Sequence, residues 1–418
     1  MSFADSYLQK NRGKYLFQPV DLLPMDMVVV IPCYNEPDIE PVIDTLFRCA
    51  SPGISAGIVV VVNSPEDEVP SVVAQNETTI RELSQWMLHA PRGLTLHVVY
   101  APDLPRKHAG AGWARKIGMD WAIGHFNQYD RPEGILVSLD ADCRVEENYL
   151  KEIHRAFDKR PDRVGATLYF EHPLDEGMAG EAMAAYELYL RYYRHALRLS
   201  GFPHAHYSLG SCFAVRAGAY VAQGGMNRRK AGEDFYFLQK LLPYGDLGEI
   251  NTTCVFPSSR ISERVPFGTG PILKRILQGD PACRVTFPFH AFRVLSPFFQ
   301  NVQKMYAAGE TRKLHQLSSN RIFQSFCRSQ GILSDLIDLY RNCASFSVYS
   351  TRFFHVFNAF VVLKWLNFAT QNGFPKKDLA GESLLLLKAM GEDTRRMESD
   401  FRSLLKYFRQ IDKNQEGC

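Results

Sequence analysis

Asp140 and Asp142 stand one residue apart at the end of the apolar stretch GILVSLDAD. Side chains at i and i+2 face the same way in a strand. In the turn that follows a strand they can converge on one ion. Hard cations such as Mg²⁺ or Mn²⁺ suit carboxylate and phosphate oxygens. Two carboxylates make a thin site, and phosphates from a substrate would complete an octahedron. The plain alternative is a solvated turn that caps the next helix. Glu233 and Asp234 open a second case, at the start of a helix after GGMNRRKAG. A helix N-terminus stabilises carboxylates, so capping accounts for them. A carboxylate fixed on a helix end at a cleft also serves as a general base, taking the proton of an attacking hydroxyl.

The basic candidates lie elsewhere. Arg106, Lys107 and His108 precede glycines at a predicted helix start, a place that favours anions. An exposed basic loop is the competing account. In SSRISERVPFGTGP, Arg260 and Arg264 accompany Gly268 and Gly270. Arginine forks there could close over a pyrophosphate, or the loop is a charged surface. His204 and His206 are weak metal candidates, and His290 is carried as a third. GxSxG, GxxxxGK[ST] and HExxH are absent, and no GxGxxG follows the first strand. Serine hydrolases, P-loop enzymes, zinc proteases and dinucleotide-dependent dehydrogenases therefore lack their motifs.

These groups need elements to hold them. The apolar run 27–31 predicts a strand that breaks at Pro32, and Ile39, Val42, Ile43 and Leu46 then fall at helical spacing. A second strand is predicted at 58–62, a helix around ETTIRELSQWML, and a third strand at 94–100. AGAGWARKIGMDWAIGHF reads as a glycine-started helix, and GILVSLDAD as the fourth strand. The strands are apolar throughout, as expected when helices cover both faces of a sheet. Ligands of such open α/β sheets bind beyond the carboxyl ends of the strands. The Pro32 loop, Asn63 and Asp140–Ala141–Asp142 all fall at such ends and point to one cleft.

Beyond residue 150 the expected order is a strand at 164–170, a long aromatic-rich helix, then a strand, a short helix and a glycine turn. The helix that opens at Glu233 follows. From about residue 300 the chain reads as helical, with 350–369 and the stretch from Asp378 as its clearest helices. The expected organisation is an N-terminal segment 1–25, a catalytic domain 26–300 and a helical region 301–418. The domain divides into a nucleotide half 26–143 and an acceptor half 144–300.

With 418 residues, 46% of them hydrophobic, the chain can bury a large core. A net charge of +3 carries no nucleic-acid footprint. The nine cysteines are scattered and form no CxxC, which fits a reducing compartment. The N-terminus lacks the apolar run of a secretory signal. FFHVFNAFVVLKWLNFA contains His355, Asn358 and Lys364, so it reads as a buried helix, with a membrane-surface helix as the alternative. A cytoplasmic location is expected.

In order, these pieces resemble the family 2 glycosyltransferases, nucleotide-sugar enzymes with the GT-A fold, over about residues 26–270. VVVIPCYNE supplies Pro32, Tyr34, Asn35 and Glu36, the loop that lies against base and ribose in that family. Asn63 stands where an acidic residue usually contacts the base. KHAGAGWARKIGMD is similar to a K-x-x-G…A-R-N-x-G segment through Lys107, Gly110, Arg115 and Gly118, with Lys116 in place of asparagine. Asp140–Ala141–Asp142 matches the metal-binding D-x-D. GSCFAVRAGAYVAQGGMNRRKAGEDFYFLQKL looks like the acceptor strand and helix, ending in the E-D pair.

The resemblance implies an open, mostly parallel sheet flanked by helices, with a mainly helical C-terminal extension. It implies direct, inverting displacement on a nucleotide-diphosphate sugar. Asp142 with Asp140 would hold Mg²⁺ or Mn²⁺ on the diphosphate. Lys107 and Arg260 or Arg264 would neutralise the leaving group, and Asp234, beside Glu233, would be the base. Pro32, Tyr34, Glu36, Asn63 and Arg115 would line the donor. The Q-x-x-R-W signature of processive synthases is absent after Asp234, which favours single addition. A retaining transferase, a nucleotidyltransferase and a non-catalytic sugar-binding or scaffold protein are the alternatives. A nucleotidyltransferase would carry a glycine-rich basic loop where PCYNEPDIE stands. The acceptor is left open among saccharides, lipids and small molecules, as are a peripheral contact with the inner membrane face and a homodimer. The run YELYLRYYRHALRLSGF either lines an acceptor groove or packs helices.

Overall fold

The computed structural model describes residues 1–15, 23–228, 232–260, 269–309 and 318–415. The chain divides into two compact units. The first comprises Met1–Pro173, Ser208–Pro271 and Gln410–Cys418, and the second Leu174–Tyr207 and Ile272–Arg409.

The first unit is built on one sheet of eight strands in the order β3-β2-β1-β4-β7-β6-β8-β5. They are β1 (Met27–Cys33), β2 (Ala56–Pro65), β3 (Leu94–Leu104), β4 (Ile135–Ser138), β5 (Arg144–Val145), β6 (Arg163–Phe170), β7 (Phe213–Arg216) and β8 (Asp246–Phe256). β1 pairs in parallel with β2 and β4, β2 with β3, and β6 with β8. β7 runs antiparallel to both β4 and β6, so the expected α/β sheet is a mixed one. Two successive reversals at β7 bring β6 and β8 back to the direction of β1. The carboxyl ends of β1, β2, β4 and β8 therefore share one edge of the sheet.

Valine and isoleucine fill β1 and β2, and every β1 residue is buried. Pro32 lies past Val30, the last β1 residue paired with β4. A residue without an N–H is tolerated where one side of a strand is open. Helix α4 (Ala111–Gln128) lies across β1 and β2. A Cβ at Gly118 would collide with Val30 and Val61, so this glycine sets the closeness of the approach. The other face of α4 is also covered. Lys116 pairs with Asp120 at 2.8 Å and donates to the Tyr7 hydroxyl at 2.9 Å. The Tyr7 and Tyr220 hydroxyls both donate to Asp120, at 2.7 and 2.8 Å. Lys116, the departure from the expected asparagine, thus belongs to a buried network that docks the N-terminal helix α1 (Asp5–Lys10).

The second unit is helical in its long stretches. The aromatic run packs helices: the rings of Tyr192 and Tyr193 meet Phe292, and the Tyr192 hydroxyl donates to Phe287 O at 2.8 Å. The helix expected over 350–369 is two helices, Phe346–Val356 and Ala359–Gln371, bent by 53°. Asn358 makes the break, its side chain accepting from the N–H groups of Phe360 and Val361. Among the described residues no single helix is long and apolar enough to cross a membrane, though this bent pair passes by length and composition. Its Tyr349, Phe353, Val362, Trp365 and Leu366 are buried within the unit. The stretch from Asp378 likewise divides, into Leu379–Ala389 and Phe401–Asn414.

Candidate active site

Arg115 is the hub of the site. It projects from the second turn of α4 and its side chain is 3% exposed. Its Nη2 donates to Asp140, just past β4, and its Nη1 to Glu233, the first residue of helix α8 (Glu233–Leu241). One guanidinium therefore ties a strand end to a helix start far away in sequence. The loop before β7 is shaped around it: a Cβ at Gly210 would meet the guanidinium, and Ser138 Oγ holds Gly210 O at 2.6 Å. Burial alone would lower the Arg115 pKa. The carboxylates of Asp140, Glu233 and Asp234 outweigh it and raise the pKa above its ordinary value.

Arg260, four residues past β8, makes a second tie. Its Nη1 and Nη2 fork onto the carboxylate of Glu36, with Nη1 2.8 Å from Oε1. Its Nε lies 3.3 Å from Asp142 Oδ2. Burial opposes the charge of Arg260, and Glu36 and Asp142 overcome it and raise the pKa. The shared edge of the sheet explains the meeting, since Glu36 follows β1, Asp142 follows β4 and Arg260 follows β8.

Glu233 and Asp234 differ in surroundings. Glu233 is buried and ion-paired, whereas Asp234 is half-buried, with one oxygen accepting the Phe235 N–H at 2.7 Å. Burial raises the pKa of both above the ordinary carboxylate value, against the pull of Arg115. A half-buried carboxylate with a raised pKa suits a general base, and a buried ion-paired one suits positioning.

The structure places the remaining candidates as follows. Asp140 and Asp142 lie in the turn beyond β4, which stops at Ser138. Pro32 is buried in β1, and the Tyr34 hydroxyl donates to Glu68 at 2.7 Å. Asn35 adopts a positive φ of 47°, held by Asn76, whose Oδ1 accepts its N–H at 3.0 Å. Asn76 Nδ2 also donates to Asn63 O at 3.4 Å, and Asn63 is buried on β2. Lys107 is exposed in the turn before α4, without an ion-pair partner among the described residues. Arg106 forks onto Asp67, at 2.9 and 2.7 Å from its oxygens. Arg264 lies outside the described residues. His290 belongs to the second unit, where its ring stacks on Phe374. His204, also in that unit, packs against Phe202 and Phe354. Among the described residues no three His, Cys, Asp or Glu side chains gather as a metal cluster.

Sequence reasoning missed three features. Glu36 is a counter-ion of Arg260, Gly210 makes room for Arg115, and Asn76 braces the Asn35 turn. None has a local signal, because each acts on a residue distant in the chain.

The family model described as Glycosyl transferase family 2 matches residues 28–222. The chain carries a glycosyltransferase family 2 domain. Its mixed sheet with flanking helices is of the GT-A type. The chain is also similar to several solved structures. TarS 1-349 of S. aureus in complex with UDP-GlcNAc is 14% identical over 80% of this chain and 91% of that chain, with a TM-score of 0.41. The mannosyltransferase PcManGT from Pyrobaculum calidifontis in complex with GDP-Man and Mn²⁺ is 12% identical over 88% of this chain and 94% of that chain, with a TM-score of 0.35. Glucosyl-3-phosphoglycerate synthase of M. tuberculosis is 12% identical over 62% of this chain and 80% of that chain, also at 0.35. No curated protein matches the chain.

Proposed function

We propose that this family 2 glycosyltransferase moves one sugar from a nucleoside-diphosphate sugar to an acceptor hydroxyl, with inversion at the anomeric carbon. The observation that carries the reading is the Asp140–Arg115–Glu233 bridge. It joins the carboxylate pair beyond β4 to the helix that presents Asp234. In the proposed step the acceptor oxygen attacks the anomeric carbon while the bond to the diphosphate oxygen breaks. Asp234 takes the hydroxyl proton. Glu233, held by Arg115, fixes the start of α8 and with it the place of Asp234. The electron pair leaves with the nucleoside diphosphate, whose charge Arg260 and Lys107 balance.

The donor set supports a divalent cation. Among the described residues tied together at this edge, the carboxylates Glu36, Asp140, Asp142 and Glu233, with Asp234 beside them, outnumber the guanidiniums of Arg115 and Arg260. A diphosphate entering among these carboxylates is repelled by them, and an accompanying cation relieves that repulsion. Mg²⁺ and Mn²⁺ take one or two carboxylates and complete their shell with substrate phosphates and water. Asp142 and Asp140 would hold the ion, and when bound it supplies Lewis-acid stabilisation of the leaving diphosphate.

The test is nucleoside-diphosphate release from UDP- and GDP-sugars with water as the acceptor, in Mn²⁺ buffer. The anomer of the sugar released is then read by ¹H NMR before mutarotation. Turnover of one donor family with an inverted anomer supports the reading. A retained anomer overturns inversion, and turnover of none by folded protein overturns transfer.

A further inference from the structure

Arg260 grips its two carboxylates unequally. Both terminal nitrogens fork onto Glu36, whose side chain is fully buried. The contact of Nε with Asp142 is looser, an ion pair at 3.3 Å, and among the described residues this Nε has no well-formed hydrogen bond. The fork anchors the guanidinium and leaves its Nε edge facing the carboxylate that would hold the metal.

We infer that Arg260 makes metal and diphosphate binding cooperative, so that neither binds well alone. This rests on the donor-and-metal reading above and adds a dependence to it. A divalent cation arriving by itself at Asp142 stands beside a guanidinium that Glu36 prevents from swinging away. The two positive charges share one carboxylate and repel. A diphosphate alone meets an edge rich in carboxylates. Together the ligands remove both conflicts. A diphosphate held with the metal would offer Arg260 Nε an oxygen acceptor for the well-formed, charge-assisted hydrogen bond that it lacks among the described residues. Lys107 does not serve in this way, because it is exposed and no carboxylate among the described residues anchors it. By linkage, each ligand strengthens the other by the same factor.

The experiment is calorimetric titration of Mn²⁺ into the full chain, alone and with saturating UDP or GDP, corrected for Mn²⁺–nucleotide association in buffer. In the wild type the nucleotide is expected to strengthen Mn²⁺ binding about tenfold or more. Arg260→Gln removes the repelling charge, so it binds Mn²⁺ alone more tightly and gains less from the nucleotide. Arg260→Lys keeps the charge and should keep the weak binding of Mn²⁺ alone. Its circular dichroism, compared with the wild type, separates a binding effect from misfolding. If Arg260→Gln leaves both Mn²⁺ affinities unchanged while nucleotide-assisted binding persists, cooperativity through Arg260 is overturned and the metal reading stands. If folded wild type takes up no Mn²⁺ with either nucleotide, both are overturned.

Discussion

Replacing Arg115 with methionine is the perturbation the geometry makes most consequential. The guanidinium is buried, and it faces Glu233, 5% exposed, and Asp140, 37% exposed. Methionine fills much of the volume but leaves the Glu233 carboxylate buried without its cation. Removing one partner of a buried pair costs about 3–5 kcal/mol, far more than the pair contributes over an apolar replacement. Most of that cost belongs to Glu233, since water reaches Asp140. Arg115→Met combined with Glu233→Gln should therefore recover about 2 kcal/mol. The pH dependence has a defined sign. Burial already holds the folded pKa of Glu233 above its ordinary value, and Arg115 is the group that lowers it. Without Arg115 the folded value rises further. A carboxyl with a raised folded pKa contributes stability that is complete below the unfolded pKa and is lost as pH rises through the folded one. The deficit of Arg115→Met should thus shrink as pH falls from neutrality toward the ordinary carboxylate pKa. Urea unfolding followed by tryptophan fluorescence reads this, because Trp86, Trp113 and Trp121 lie in the sheet unit. A single variant as stable as the wild type, or a double variant no better than the single one, would refute the reasoning.

Other outcomes follow from the same structure. Asp234→Asn should lower kcat about 10²-fold or more with little change in melting temperature, as loss of a general base requires. Wild-type kcat should rise with pH through an acidic limb displaced upward from the ordinary aspartate pKa, because burial raises that of Asp234; a pH–rate profile checks this. Gly210→Ala places a methyl against the Arg115 guanidinium and should cost about 1–3 kcal/mol, read by urea unfolding. Tyr7→Phe deletes a hydroxyl between Lys116 and Asp120 and should cost about 1.5–3 kcal/mol, measured by the same unfolding assay.

The first part of the sheet was legible because β1, β2 and β4 are apolar runs that are buried almost throughout. Such runs announce themselves without periodicity. β8 was not legible. Its sequence DLGEINTTCVF mixes apolar residues with Gly248, Glu249, Asn251 and two threonines, and pairing with β6 decides it rather than pattern. β5 has only two residues, too few to carry any period. The bend at Asn358 had a signal, an N-cap residue before an apolar run, which the surrounding apolar residues masked. At the site the residue types were readable one by one, and the ion pairs were not. Arg115 lies 118 residues from Glu233, and Arg260 lies 224 from Glu36. Only the strand order, with β7 reversing the direction twice, brings those ends together.

The central claim, a nucleotide-sugar donor held beside Asp142, is tested most directly by thermal denaturation with a panel of nucleoside diphosphates and nucleotide sugars. Wild type and Asp142→Ala are compared with and without Mn²⁺. A ligand that binds only the native state at a hundred times its Kd adds about 2.7 kcal/mol, enough to raise the melting temperature by about 3 °C or more. The account predicts a Mn²⁺-dependent rise with one nucleotide family that is lost in Asp142→Ala. No shift from any member of the panel, in protein that unfolds cooperatively, would contradict it.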